Sequence, residues 1–261
     1  MPTWNPVNYE RYLDLQTRPS RDLVQRVPIS PKRIIDLGCG PGNSAALCAE
    51  RWPSALIVGL DSSSEMIESA RTTQPTKKWQ LGDIEASIRQ ENASEDWVDL
   101  IFSSAALQWV EDHAGIFPTP VTELAPGGVL ACQMPAYNAL PNQVMREMAA
   151  SPRWLRWFPN GRAKEWCSHS LDFSYTVLAA SAKWLDLWAT DYLQIMPEVD
   201  QIVEWYKSTG LRPYLDCIQD EQQRKEFLDE YKSRLSPLYP RSETGEVPFL
   251  FRRIFIAAGV A

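Results

Sequence analysis

Short apolar runs alternate with amphipathic stretches through the first half of the chain. Arg33–Leu37, Leu56–Leu60, Lys78–Leu81, Val98–Ser103 and Val129–Met134 read as strands. Between them, Asn43–Arg51, Ser64–Thr72 and a stretch around His113–Leu124 carry apolar residues at helical spacing. Strand alternating with helix at this spacing predicts a parallel sheet covered on both faces. Right-handed crossovers then bring the C-terminal ends of the strands to one rim, where ligands bind in such sheets.

From about Asn138 the pattern changes. Asn142–Ala150, Asp200–Ser208 and Asp220–Leu235 have helical periodicity, while Lys183–Leu193 and Phe249–Ala258 read as two further strands. The expectation is a seven-stranded, mostly parallel α/β sheet with helices on both faces and a helical cap in the C-terminal half. Residues 1–137, about 183–194 and 249–261 would form the core; about 138–182 and 195–248 would form capping insertions. Six of the eleven tryptophans fall at positions 154, 157, 166, 184, 188 and 205, as core packing under such a cap would require.

Composition narrows the function. The chain has 261 residues, 44% hydrophobic and 23% charged, normal for a globular protein. Its 26 Lys and Arg against 33 Asp and Glu give a net charge of −7, which argues against a nucleic-acid partner. It leaves room for a basic pocket and a small anionic ligand. The five cysteines form no CxxC or Cys/His motif, so neither a metal site nor a disulfide framework is expected. With no signal-peptide-like or membrane-length apolar run, a cytoplasmic protein without membrane contact is expected, and a monomer is favoured.

The richest segment is Ile34-Ile35-Asp36-Leu37-Gly38-Cys39-Gly40-Pro41-Gly42-Asn43. A strand runs into three glycines and then a helix, a loop suited to holding a nucleotide-like ligand against bare main chain. The third glycine comes one residue too early for a dinucleotide fingerprint, and the Gly-Lys-Ser/Thr of a phosphate loop is absent. Asp36 at the strand end favours a cationic, phosphate-free group, a description that S-adenosylmethionine fits. Asp61 ends the second strand, where it can accept from ribose hydroxyls, and Asp83 ends the third, where it can accept from an adenine amino group.

DLGCGPGN, GLDSS, GDIE and the run DLIFSSAALQW resemble the successive motifs of class I, Rossmann-like S-adenosylmethionine-dependent methyltransferases. More narrowly, the chain resembles the trans-aconitate 2-methyltransferase family. That similarity runs through Thr3-Trp4-Asn5-Pro6 with Tyr9, Arg18-Pro19, Arg51-Trp52-Pro53, Leu107-Gln108-Trp109, Gln133-Met134-Pro135, Met145-Arg146-Glu147, Ser208–Pro213 and Arg252–Phe255. It departs over Trp154–Ser181.

The resemblance implies that Asp36, Gly38, Gly40 and Gly42 hold the methionine end of the cofactor. Asp61 with Ser62 would take the ribose, and Asp83 with Ile84 the adenine. Ser103 and Ser104 would lie near the sulfur, Arg18 would meet the cofactor carboxylate, and Tyr9 with Trp4 would close over it. For a polycarboxylate substrate the candidate cations are Arg146, Arg212, Arg241, Arg252 and Arg253, since arginine binds carboxylates bidentately. Arg146, Arg212 and Arg252 are placed in the substrate site together with Gln108, Trp109, Tyr192 and Trp205.

The expected reaction is methyl esterification of a small di- or tricarboxylic acid such as trans-aconitate. A carboxylate is already ionised at neutral pH, its pKa being about 4, so no general base is required; Gln108 and His113 are the weak candidates for one. Methylation of a hydroxyl or carboxyl on a secondary metabolite, or cofactor binding without turnover, are the alternatives.

Overall fold

The computed structural model describes residues 13–89, 97–122, 124–136, 138–158, 163 and 166–261. Helix α1 (Leu13–Arg26) precedes β1 (Arg33–Leu37), α2 (Asn43–Arg51), β2 (Leu56–Asp61), α3 (Ser64–Thr73), β3 (Lys78–Leu81), α4 (Ile84–Arg89) and β4 (Val98–Ser104). Two short helices, α5 (His113–Ile116) and α6 (Pro118–Thr122), lead into β5 (Leu124–Pro135). Then come α7 (Leu140–Ala150), α8 (Leu171–Leu178), β6 (Trp184–Met196), α9 (Val199–Lys207), α10 (Arg212–Cys217), α11 (Glu221–Leu235) and β7 (Val247–Gly259).

The seven strands form one sheet in the order β3-β2-β1-β4-β5-β7-β6. Strands β1 to β5 pair in parallel, and β7 pairs antiparallel with both β5 and β6. The order reverses direction between β1 and β4, the switch point at which α/β sheets open a crevice beyond their strand ends.

One face is covered by α1 and α2. Leu23, Val24 and Val27 are buried with Ile34, Ala45, Cys48, Val129 and Phe255. The hydroxyl of Tyr192 donates to Asp22 Oδ2 at 2.6 Å, and Arg26 pairs with Asp186 at 2.7 Å, both tying α1 to β6. Against the other face lies a cluster that includes Leu37, Ile101, Phe117, Leu130 and Ile256.

A third cluster is built from α7, α9, α10, α11 and the near ends of β6 and β7. It includes Met145, Trp154, Phe158, Trp166, Trp205, Tyr206, Phe227, Tyr231, Phe249 and Phe251. Trp184 and Trp188 pack instead on the sheet, where Trp188 stacks on Phe255 with centroids 4.7 Å apart. Helix α8 also belongs with the sheet: Leu178 is buried alongside Leu130 and Ile256. The β6–β7 ribbon is longer than its apolar pattern indicated, because its far end leaves the sheet core to carry the third cluster. Among the described residues no helix is long and apolar enough to cross a membrane.

Candidate active site

The three glycines after β1 serve three different ends. Gly38 and Cys39 both donate their amides to the Leu60 carbonyl, at 2.8 and 3.0 Å. Gly38 has φ +71°, and a Cβ there would sit 2.1 Å from Ala106 Cβ, so the glycine lets the loop lie directly on the turn beyond β4. At Gly42, with φ +96°, a Cβ would meet Gln74 Nε2 at 2.7 Å and the Trp79 ring at 2.9 Å. Gly40 is different. Its φ is +54°, and a Cβ would meet nothing described within 4 Å, so bare main chain faces open space.

The acids lie around that loop. Asp36 is fully buried and accepts from the Ser44 hydroxyl at 2.5 Å, while its Oδ1 has no hydrogen-bond partner among the described residues. Burial, reinforced by nearby Asp61, pushes its carboxyl up to about 7. Asp61 accepts the Gly40 amide on Oδ2 and the Ser63 amide on Oδ1, both at 2.9 Å, which fixes the loop to the end of β2. Asp83 is exposed and accepts the Ala86 amide at 2.9 Å, capping the start of α4. Ser62 is exposed, and Ile84 Cδ1 lies beside Gly38.

Beyond β4 the chain turns sharply at Ala105, whose φ of +57° is uncommon outside glycine. There a cavity of about 40 Å³ is lined by Ala105, Gln108, Trp109, Trp166, Tyr206 and Arg253, among others. Arg253 is 3% exposed; its Nη1 donates to Gln133 Oε1 at 3.2 Å and its guanidinium lies 4.5 Å from the Phe251 ring centroid. Gln133 Nε2 donates to Ser104 Oγ at 2.7 Å, and Ser104 Oγ lies 2.5 Å from Ser20 Oγ on α1.

Three lining residues hold buried polar atoms without a described partner: Gln108 Oε1, Trp166 Nε1 and Tyr206 Oη. Such atoms are costly to leave dry, which marks the cavity as a place for a polar ligand. One cation and the N–H and O–H donors suit an anion. Ala105 of the lining is the chain neighbour of Ala106, on which the glycine loop rests.

Residues 30–198 match the model of a family described as methyltransferase domain. A trans-aconitate 2-methyltransferase of Azoarcus sp. (strain BH72) is 41% identical over 99% of this chain and 99% of its own length. One from Methylobacterium radiotolerans is 42% identical over 99% and 98%. The chain belongs to the trans-aconitate 2-methyltransferase family. The solved structure of YcgJ from Bacillus subtilis matches with a TM-score of 0.60 at 15% identity, over 93% of this chain and 98% of that one. A putative methyltransferase from Bacillus halodurans C-125 gives 0.57 at 14%, over 92% and 97%. At those identities the two structures bear on the fold, which they share.

Within this trans-aconitate 2-methyltransferase family member, the residues singled out from sequence divide into three groups. Gly38, Gly40, Gly42, Asp36 and Asp61 converge on the loop, with Ile84 beside it; Gln108, Trp109 and Trp205 line the cavity. Tyr9 and Trp4 lie outside the described residues.

The third group is placed elsewhere. Arg252 is corrected to a surface position, where its guanidinium pairs with Asp191 at 2.7 Å; the cavity takes its neighbour Arg253, because consecutive strand residues face opposite sides. Tyr192 anchors α1 through Asp22, away from the cavity lining, and exposed Arg18 lies over the Tyr192 ring at 5.2 Å. Ser103 is buried with its hydroxyl on the Leu37 carbonyl at 2.8 Å, so it ties β4 to β1 and presents no hydroxyl to a ligand.

Arg212 lies 4.0 Å from Asp216 and within the electrostatic reach of Glu65 on α3; with Arg146, on α7, it is not among the residues lining the cavity. Trp166 and Tyr206 were not singled out as ligand-facing. No local motif marks them, since a buried aromatic has the same sequence signature whether or not its polar atom is satisfied. His113 does not line the cavity; its Nε2 lies 2.8 Å from the Leu107 carbonyl.

Proposed function

We propose that this protein transfers a methyl group from S-adenosylmethionine to a carboxylate of trans-aconitate or a closely similar tricarboxylic acid, giving the monomethyl ester. The observation that carries this reading is Arg253, a buried cation in a cavity with unpartnered donors, beside the glycine loop. Carboxylates are the anions such a set fits, because a guanidinium and fixed N–H and O–H groups offer directed hydrogen bonds to planar oxygens.

Bound S-adenosylmethionine supplies a methyl group already activated on a sulfonium. The chain's own part is to hold and orient. The open main chain at Gly40 gives room for the cofactor's close approach, with Asp61 and Asp83 as acceptors for its ribose and adenine. Asp36, having no exposed surface, acts through its field beneath the loop, favouring a cationic group above it. Arg253, Trp166 and Tyr206 bind the carboxylates of the acid. Gln108 donates through Nε2 to the Ala105 carbonyl at 2.7 Å, which leaves Oε1 to accept from a protonated carboxyl or a water. The third hydrophobic cluster forms the cap that closes over the acid.

The nucleophile needs no base, being ionised well below neutrality. Alignment of oxygen, methyl and sulfur in a water-poor cavity can supply about 7–11 kcal/mol of the barrier reduction. A hydroxyl nucleophile would need a base, and among the described residues lining the cavity there is no histidine, aspartate or glutamate.

Incubation with methyl-labelled cofactor and trans-aconitate, cis-aconitate or citrate is expected to yield labelled ester, with trans-aconitate preferred. Label remaining on the cofactor with every acid, while calorimetry still shows cofactor binding, would replace this reading with a binding protein that does not turn over.

A further inference from the structure

Both histidines of the chain meet a cysteine outside the cavity. His113 opens α5, and Cys167 and His169 lie in the segment before α8. One donor atom from each lies within 4.8 Å of the other two. Cys167 Sγ is 3.3 Å from His169 Nε2, and the two imidazoles meet edge to face with centroids 5.2 Å apart.

The three side chains are held in place. His113 Nε2 lies 2.8 Å from the Leu107 carbonyl; a carbonyl can only accept, so Nε2 carries the hydrogen and Nδ1 keeps a lone pair. An imidazole braced on a backbone carbonyl in this way is the usual support of a metal ligand. His113 stacks on Phe117 at 4.6 Å and His169 on Phe173 at 3.8 Å. His113 is buried and the other two are half-buried, which leaves a path from solvent.

We propose that His113, Cys167 and His169 form a binding site for a transition-metal ion of zinc type, fastening the segment after α7 to the turn that follows β4. Two imidazole nitrogens and a thiolate are ligands that Zn²⁺ prefers, with water in the fourth tetrahedral position. Zn–N and Zn–S bonds of about 2.0–2.3 Å put tetrahedral ligand atoms roughly 3.4–3.6 Å apart. The Cys167–His169 pair, at 3.3 Å, is close to that spacing, and the two pairs that His113 makes, within 4.8 Å, close the rest by side-chain movement. Binding converts the Cys167 thiol to a thiolate: the S–H bond breaks, an S–metal bond forms, and the proton leaves to solvent.

The site bears on the cavity without touching reacting atoms. The Cys167 amide donates to the Gln108 carbonyl at 2.7 Å, and Trp166, its neighbour, lines the cavity with Gln108. The ion is therefore a positioning device for one wall. Because His113 stands more than fifty residues before Cys167 and His169, no sequence motif joins the three, and the expectation of no metal site is what this proposal replaces.

Chelator-stripped full-length protein is titrated with Co²⁺ alone, then with Zn²⁺. The expected result is one Co²⁺ per chain, with thiolate-to-cobalt charge-transfer absorption in the near ultraviolet that Zn²⁺ abolishes. Cys167→Ser should remove the band, and His169→Gln should weaken binding at least tenfold. Cys217→Ser, at the other half-buried cysteine, should change neither. Both ligand variants are at half-buried positions, so they avoid the buried His113. Zn²⁺ should raise the Tm of the unmodified protein and not that of Cys167→Ser. Absence of stoichiometric binding, or a band that survives Cys167→Ser, overturns the proposal.

Discussion

Arg253 Nη1 lies 3.2 Å from Gln133 Oε1, joining β7, whose Arg253 lines the cavity, to β5. Through Gln133 and Ser104 the contact continues to Ser20, so the cation at the proposed acid site and the helix on the sheet face share one hydrogen-bonded chain. Truncating one member of a buried, hydrogen-bonded charged contact costs about 2–5 kcal/mol in binding. Arg253→Ala is therefore expected to lower kcat/KM for the acid by about 30-fold or more, acting mainly on KM. The cofactor Kd should stay within a factor of two. Arg253→Lys keeps the charge and loses the fork, so it should restore only part. Steady-state kinetics with the acid varied, together with cofactor calorimetry, checks the split; an unchanged KM in Arg253→Ala would remove this residue from the acid site.

The glycine loop separates two effects that a simple alanine scan would merge. Gly40→Ala places a methyl in open space at φ +54°, a strain of about 1–2 kcal/mol for an L-residue, and intrudes on the surface proposed for the cofactor. Cofactor affinity should fall at least tenfold with a modest loss of Tm. Gly38→Ala drives a Cβ to 2.1 Å from Ala106 Cβ, so its main effect is on folding. The double variant Gly38→Ala, Ala106→Gly removes the clash and should recover part of the lost Tm. Equal Tm in the single and double variants would refute the packing role assigned to Gly38.

Asp36 ties the loop to pH. Its buried carboxyl is pushed up to about 7, above the unfolded value of about 3.9. Its contribution to stability is then fully present below about pH 4 and is lost as pH rises through about 7, because the folded state holds the proton more tightly. A cationic ligand favours the ionised form, so cofactor affinity should climb between pH 6 and 7.5, by at most tenfold per pH unit. Measuring the difference between the unmodified protein and Asp36→Asn cancels the titration of the cofactor's own amino group. Parallel affinity profiles for the two proteins would exclude Asp36 as the source.

The strands and the loop were legible because their signals are local. Ile34 to Gly42 carries apolar run, acid and glycines within one short segment, and the structure puts β1 at Arg33–Leu37 as its pattern indicates. Short helices were harder. Ile84–Arg89 and Arg212–Cys217 have too few turns to show periodicity, and α8 shares the apolar character of the helices in the third cluster while covering the sheet. In the site, Arg252 and Arg253 are indistinguishable by type. Only the register of β7 against β5, with Arg253 opposite Pro135, shows which one faces inward. Trp166 and Tyr206 are recognised by an unmet hydrogen bond, a property of packing that no residue spacing encodes.

Two of the displaced candidates make the sharpest control. Arg252 pairs with Asp191 at an exposed position, and such surface pairs contribute about 0–1 kcal/mol. Arg252→Ala should leave the KM for the acid unchanged and shift Tm by at most a few degrees. Tyr192 donates to the Asp22 carboxylate at 2.6 Å, and a hydrogen bond to a charged group contributes about 1.5–3 kcal/mol. Tyr192→Phe should therefore lower stability by roughly that amount, since it leaves Asp22 without its β6 partner and loosens α1. Its KM for the acid should match that of the unmodified protein at temperatures well below the transition. Denaturant unfolding and initial-rate kinetics on the same preparations read both effects. A raised KM in Tyr192→Phe with full stability would return Tyr192 to the acid site and show that α1 docks by apolar packing of Leu23 and Val24 alone.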